Sequence, residues 1–345
     1  MIKTGAQELQ PAPRWPTHPT SAVVAGTGSH VPERILTNDD LERIVDTSDQ
    51  WITERTGMKE RHIAAPDEAA SDLALIACKK ALADAKVSPG EIDLIIVGTV
   101  TGDMPFPSTA CVLQQRLGAK HAAAFDVSAG CTGFIYALSV ARQFVLTGVS
   151  RTVLVVGVEV LSRITDWSDR STCVLFGDAA GAAVLKASDE PNTGIIGFHL
   201  AADGDGGRLL HMPAGGSRHP ATVETVQQRM HTCKMNGNPL FKVAVRNMAD
   251  AVKRLLNQTG LEPGDLSLLI PHQANLRIIE ATTRLLKFPS ERVFVNIHKY
   301  GNTSSATTIV ALDEARKTGL VHPGDVVMLV AFGAGLTWGG VAIRF

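Results

Sequence analysis

The chain has 345 residues, 45% of them hydrophobic and 19% charged, with a formal net charge of −1. That length holds two ordinary domains or one large α/β unit. The charge balance excludes a global electrostatic case for nucleic acid or a membrane surface as partner, and no apolar run reaches the ~18 residues of a membrane span.

In chain order, residues 1–20 carry Pro11, Pro13, Pro16 and Pro19 and no apolar core. They predict a flexible tail rather than a secretory signal. GTGSHVP (26–32) lacks the third glycine of a dinucleotide fingerprint. DLIIVGTV (93–100) reads as a buried strand and STACVLQQRLGA (108–119) as a helix. AAAFDV (122–127) is a further strand, and SAG (128–130) turns it into a helix. From Cys131 onward, Phe134, Ile135, Ala137, Leu138, Val140, Ala141, Phe144 and Val145 cover nearly the whole helical circumference. A helix apolar all round is buried, so this one is expected in the core between two sheets. RTVLVVGVEV (151–160) is a strand buried on both faces, as a parallel sheet requires.

KASDEPNTG (186–194) is a polar Pro/Gly stretch and divides the chain into halves, 21–190 and 191–345. DGDGG (203–207) lacks the twelfth-position acid of a calcium loop and reads as a turn. GDLSLLIP (264–271) is a strand ending at His272, with a helical pattern after it. Asn302 stands in VFVNIHKYGNTSSATTIVAL (293–312), again strand, turn and helix. VVMLVAF (326–332) is the last buried strand and opens into the glycine-rich AFGAGLTWGG (331–340).

The halves repeat. VSPGEIDLIIVG (87–98) matches LEPGDLSLLIPH (261–272) at an offset of 174 residues. Cys131 aligns with Asn302 at 171, and Thr152 with Asp325 at 173. Three segments in one order point to a duplicated α/β fold that packs as one pseudo-symmetric body.

The five cysteines, Cys78, Cys111, Cys131, Cys173 and Cys233, are odd in number and form no CxxC. They predict reduced thiols, a cytoplasmic protein and no metal site. Cys131 stands apart because a helix N-terminus favours a thiolate, so its pKa is expected to fall. On position alone it is a nucleophile or an inert buried cysteine. His272 is equally a ligand-facing or a structural histidine, and Asn302 a site residue or a helix cap. The three share strand-to-helix corners of a twofold repeat, so they can converge.

DTSDQWITERTGMKERHI (46–63), DVSAGCTGF (126–134), FGDAAGAAVL (176–185), PHQANLRI (271–278), KYGNTSSA (299–306) and FGAGLTWG (332–339) together carry a resemblance. Over residues 21–345 the chain resembles the β-ketoacyl-acyl carrier protein synthase III family of the thiolase superfamily. The resemblance implies a duplicated thiolase-like fold with αβαβα layers and a homodimer. It implies a catalytic triad of Cys131, His272 and Asn302, with an oxyanion hole from the backbone N–H groups of Cys131 and Ala334. Where Ala334 stands the family commonly has glycine, which matters only if the position needs a left-handed φ.

The implied reaction joins a short acyl-coenzyme A primer to malonyl-acyl carrier protein by decarboxylative condensation through an acyl-Cys131 intermediate, with no cofactor beyond the thioester substrate. Trp51, Arg55, Arg170 and Asn275 match coenzyme A contacts. Lys242, Arg277 and Arg284 match basic positions where the carrier protein docks. Phe106 matches a residue lent across the dimer to the partner's acyl pocket. Within the same fold, the alternative is acyl transfer from Cys131 to another acceptor; such relatives tend to replace the asparagine, which this chain keeps. A non-catalytic subunit is expected to lose the cysteine, which is also kept.

Overall fold

The computed structural model describes residues 19–345. The predicted tail therefore lies outside the described residues except at its end, where Thr20 already donates its backbone N–H to the Ser188 carbonyl at 3.1 Å. Among the described residues no helix is long and apolar enough to cross a membrane.

In chain order the main elements are β1 (Ser21–His30), α1 (Asp49–Thr56), α2 (Ala70–Ala85), β2 (Leu94–Gly98), α3 (Thr109–Leu117), β3 (Ala123–Val127), α4 (Gly133–Leu146) and β4 (Thr152–Val160). They continue as β5 (Asp178–Ser188), β6 (Gly194–Ala202), α5 (Gly237–Thr259), β7 (Leu268–Pro271), α6 (Leu276–Leu286), α7 (Thr307–Lys317), β8 (Val326–Gly333) and β9 (Thr337–Arg344). One sheet runs β1-β5-β4-β2-β3 and the other β6-β9-β8-β7. The second order repeats the first, with a parallel bridge from Leu269 to Val293 standing in for its fifth strand. β2 pairs parallel with β3 and β4, so its connections must cross over through helices.

Each sheet buries both faces. Phe134, Ile135, Leu138 and Val145 of α4, with Ile309, Ala311 and Leu312 of α7, fill the space between the sheets. α2 and α3 cover the outer face of the first sheet. α5 packs on the outer face of the second, with Ile278 and Leu286 of α6 beside it. The result is the five-layer αβαβα sandwich expected of a thiolase-like chain. Each large apolar side chain so buried contributes about 1.5–3 kcal/mol.

Gly26 and Gly28, the weak dinucleotide signal, lie inside β1 and face α2. A Cβ on Gly26 would sit 2.4 Å from the Ala85 nitrogen, so these glycines admit the close approach of a helix.

The repeat is tighter than the sequence alignment gave. β2 and β7, β4 and β8, and α4 and α7 each begin 174 residues apart. The same offset joins two left-handed turn residues, Gly130 at φ 54° and Ser304 at φ 48°. Cys131 is therefore equivalent to Ser305, and Asn302 to Ser128, which corrects the pairing of Cys131 with Asn302 by three residues. The left-handed residue sets the turn register, and it is glycine in one half and serine in the other.

Close backbone approach joins the two turns to the first sheet. A Cβ on Gly157 of β4 would lie 2.7 Å from the Ser305 carbonyl oxygen, a backbone atom with no room to retreat. Gly157→Ala should cost about 1–3 kcal/mol by overpacking, read as a lower denaturation midpoint; an unchanged midpoint would contradict this packing.

Candidate active site

Cys131 lies in the single 3-10 turn Gly130–Thr132 between β3 and α4 and is 8% exposed. Gly333, the last residue of β8, lets that strand reach it: a Cβ there would stand 2.5 Å from the Cys131 nitrogen. Ala334 follows, and an added Cβ on Gly130 would meet its nitrogen at 2.8 Å. The Cys131 and Ala334 amides therefore flank one small volume. Ala334 is not among the residues with positive φ, so alanine is unstrained here.

His272 follows β7, its N–H donated to the Val330 carbonyl at 2.7 Å, and is 2% exposed. Its Nδ1 lies 2.6 Å from Thr307 Oγ1. Asn302 is pinned by its own N–H on the Leu175 carbonyl at 2.8 Å. Its Oδ1 accepts the Ser304 backbone N–H at 2.9 Å. An N–H can meet only an acceptor, so the amide oxygen is fixed there and the NH₂ is turned to other partners.

Cys131, His272 and Asn302 all line one cavity of about 130 Å³, walled otherwise by Asn275 and by apolar groups such as Phe176, Leu240 and Phe332. Two further cavities adjoin it. An outer one of about 470 Å³ shares Leu175, Met235, Phe241 and Asn275 with the first and reaches Trp51, Arg55, Lys242 and Arg277. An inner one of about 190 Å³ shares Cys131, Phe176 and Leu210 and is lined by Val100, Leu161, Ile164 and Cys233. By shared walls the first cavity, with its three polar residues, adjoins the outer cleft on one side and on the other an apolar chamber past the thiol, whose rim includes the exposed Val100 and Met212.

At the mouth, Arg170 and Arg55 place guanidinium carbons 4.8 and 5.6 Å from the Trp51 ring centroid. Asn275 caps α6, its Oδ1 accepting the Arg277 N–H at 2.9 Å. Arg284 lies two turns further along α6, exposed and outside all three cavity walls. Phe106 is 84% exposed on the loop after β2 and lines none of the three cavities of its own chain.

The thiol departs from expectation. Burial raises the Cys131 pKa to about 12; the neighbouring Ser304 hydroxyl acts against this, and the charge of Glu159 adds to it. The short turn leaves the thiol in a dry pocket, and desolvation outweighs the helix end. Burial also lowers the His272 pKa to about 3, which keeps the ring neutral.

Thr307, Ser304 and Glu159 are the site neighbours that sequence reading missed. Thr307 and Ser304 lie inside the quoted asparagine segment, and only their spacing after Asn302 could have flagged them.

The neutral histidine has a consequence for stability. Between about pH 6.5 and 3 the unfolded chain binds a proton at His272 that the folded chain refuses. Stability should fall as pH drops through that window, by ~1.4 kcal/mol per pH unit for this group. Denaturant titrations of wild type and His272→Gln should differ in pH slope by that amount; equal slopes would mean that the buried ring titrates normally.

Family models match two stretches. The 3-oxoacyl-[acyl-carrier-protein] synthase III model covers residues 125–204, and its C-terminal companion covers 256–345. Beta-ketoacyl-[acyl-carrier-protein] synthase III of Caldanaerobacter subterraneus subsp. tengcongensis is 57% identical over 325 residues, 94% of this chain and 98% of that protein. The namesake from Desulfitobacterium hafniense (strain DSM 10664 / DCB-2) is 52% identical over the same shares. The crystal structure of 3-oxoacyl-[acyl-carrier-protein] synthase III from Aquifex aeolicus VF5 superposes with a TM-score of 0.87 at 48% identity, covering 94% of this chain and 100% of that one. Identity this high over nearly the whole length, on the same layered fold, assigns the chain to the beta-ketoacyl-[acyl-carrier-protein] synthase III family.

Proposed function

We propose that the chain condenses a short acyl-coenzyme A primer with malonyl-acyl carrier protein, through an acyl-Cys131 intermediate and with loss of CO₂. The observation that carries this reading is the meeting of Cys131, His272 and Asn302 on one cavity wall, between an outer cleft and an inner apolar chamber. The relatives' names give the reaction class.

The Cys131 sulfur attacks the primer thioester and coenzyme A leaves. The developing oxyanion is held by the N–H groups of Cys131 and Ala334, in a pocket where water competes little. The acyl chain then occupies the inner chamber, whose walls are mostly apolar. In the second step the malonyl thioester carbonyl accepts hydrogen bonds from His272 and Asn302, which stabilise the enolate formed as CO₂ leaves. Both donors suit that task. Asn302 has its oxygen occupied and its NH₂ available. The neutral His272 donates when its proton is on Nε2, the tautomer in which Nδ1 accepts from the Thr307 hydroxyl. The Ser304 carbonyl, at 3.0 Å, is the other acceptor within reach of that hydroxyl.

The same reading assigns adenine stacking to Trp51 and cationic contacts to Arg55 and Arg170. Arg170 also donates to the Asp46 carbonyl at 2.7 Å, which holds it over the ring. Asn275 contacts the pantetheine arm through its NH₂. Lys242 and Arg277 at the outer cleft receive the acidic carrier protein, with Arg284 a peripheral contact two turns away. The chain acts in the cytoplasm as a homodimer, supported by five unpaired cysteines and by the exposed Phe106, which would line the chamber of a second copy. Acyl transfer to a different acceptor is less well supported, because Asn302 and its fixed amide serve a decarboxylation.

Cys131→Ala should show no acyl adduct by mass spectrometry after exposure to an acyl-coenzyme A; an adduct that persists, or that maps to another cysteine, removes the assignment. Asn302→Ala should still acylate at Cys131, while decarboxylation of malonyl-acyl carrier protein falls about 100-fold. Condensation at the wild-type rate in that variant would refute the enolate role.

A further inference from the structure

Glu159, next to the end of β4, is fully buried. It accepts hydrogen bonds from the Thr101 hydroxyl at 2.5 Å, the Val100 N–H at 3.1 Å and the Thr99 hydroxyl at 3.3 Å. A fourth comes from the Ser304 hydroxyl at 3.1 Å. The Val100 N–H can only donate and the three hydroxyls are placed to do the same, which favours the ionised carboxylate, while burial pushes its pKa up. Among the described residues no cation forms an ion pair with it. An isolated buried carboxylate is costly, and none of the steps above uses it.

Ser304 joins this carboxylate to the nucleophile. Its hydroxyl donates to Glu159 on one side, and on the other it shares a cavity wall with the Cys131 sulfur. It holds that place in a left-handed backbone at φ 48°, rare for a residue with a side chain. Such strain persists where surrounding structure enforces it, commonly at functional sites. Here the Ser304 N–H is tied to Asn302 Oδ1. Cys131, Ser304 and Glu159 thus form one short line of exchangeable protons.

We propose that Glu159, acting through the Ser304 hydroxyl, takes the Cys131 proton during acylation, stores it while the enzyme carries the acyl group, and returns it on condensation. This rests on the acyl-Cys131 reading. In acylation the sulfur–carbon bond to Cys131 forms as the thiol proton moves to Ser304 Oγ and the Ser304 proton moves to Glu159 Oε1. The bond to coenzyme A breaks, and its electron pair leaves on the coenzyme A sulfur. Ordinary thiols titrate near 8.5, so at pH 7 that thiolate takes a proton from water. In condensation the carbanion left by CO₂ attacks the acyl carbon, and the departing Cys131 sulfur recovers its proton from Glu159 by the reverse shift. Over the cycle one proton is taken from solvent, as replacing CO₂ loss by a coenzyme A thiol demands. The stored proton also keeps the acyl-enzyme interior neutral, with no thiolate beside a carboxylate.

Proton counting tests this directly. Wild-type enzyme in weak buffer at pH 7 with a pH indicator is mixed with excess acyl-coenzyme A, and acyl-Cys131 is quantified by mass in the same samples. The relay predicts uptake of about one proton per acyl group and a new carboxylic-acid carbonyl band in the infrared difference spectrum. Release of the thiol proton to solvent instead cancels the uptake by coenzyme A, leaving no net change and no band. Glu159→Gln should abolish the uptake and slow acylation about 100-fold at pH 7, recovering as pH rises. Ser304→Ala should also lose the uptake.

A merely structural Glu159 would leave the proton count unaltered in any variant that acylates. Acyl-Cys131 formed in wild type without proton uptake overturns the relay alone, whereas absence of acyl-Cys131 overturns the functional reading beneath it. Should Glu159→Gln fail to fold, the wild-type proton count and infrared band still decide.

Discussion

The site depends on backbone meeting backbone where side chains do not fit. A Cβ on Gly98 would lie 2.4 Å from the Gly133 carbonyl carbon, and one on Gly333 would lie 2.5 Å from the Cys131 nitrogen. Ser305 sits in the same knot, its hydroxyl donated to the Gly98 carbonyl at 2.7 Å. The two turns that start α4 and α7 are thus pressed together and onto both sheets. Fixing them fixes the Cys131 amide against Ala334, and Asn302 against Ser304. The buried helices behind them, packed between the sheets, remove the freedom that would blur this geometry.

That packing also sets the electrostatics. The site is assembled from groups that are neutral in the resting chain: a thiol raised by burial, an imidazole lowered by burial and an amide. Neutral donors suit an enolate because they stabilise charge as it appears without having to be desolvated first. Glu159 is the carboxyl group drawn in beside this site, placed where hydroxyls can satisfy it. Positive charge is kept outside, at Arg55, Arg170, Lys242 and Arg277 around the mouth, where an anionic thioester carrier would meet it first.

Much of this was legible in the sequence because buried parallel strands are continuous apolar runs and the central helix is apolar on every side. DLIIVG, RTVLVVGVEV and VVMLVAF became β2, β4 and β8 for that reason. The corners themselves were less legible. Gly130 and Ser304 occupy equivalent left-handed positions, but only glycine advertises such a position in sequence. The Cys131–Asn302 alignment slipped by three residues on that account. Glu159 and Ser304 lie 145 positions apart, and no local pattern links residues that only the folded sheet brings together. The thiol's raised pKa was missed for a related reason: a helix end is visible in sequence, whereas the dryness around it is a property of the packing.

On the proposed reading, the knot of turns presents the Cys131 and Ala334 amides to one oxygen atom. The most direct test is a crystal structure of the acyl-enzyme, formed with a short acyl-coenzyme A. The thioester carbonyl oxygen should lie about 3 Å from both the Cys131 and Ala334 nitrogens, with the alkyl chain in the chamber bounded by Val100, Leu161 and Cys233. A carbonyl turned instead toward His272 and Asn302, with the chain in the outer cleft, would rule out this oxyanion hole.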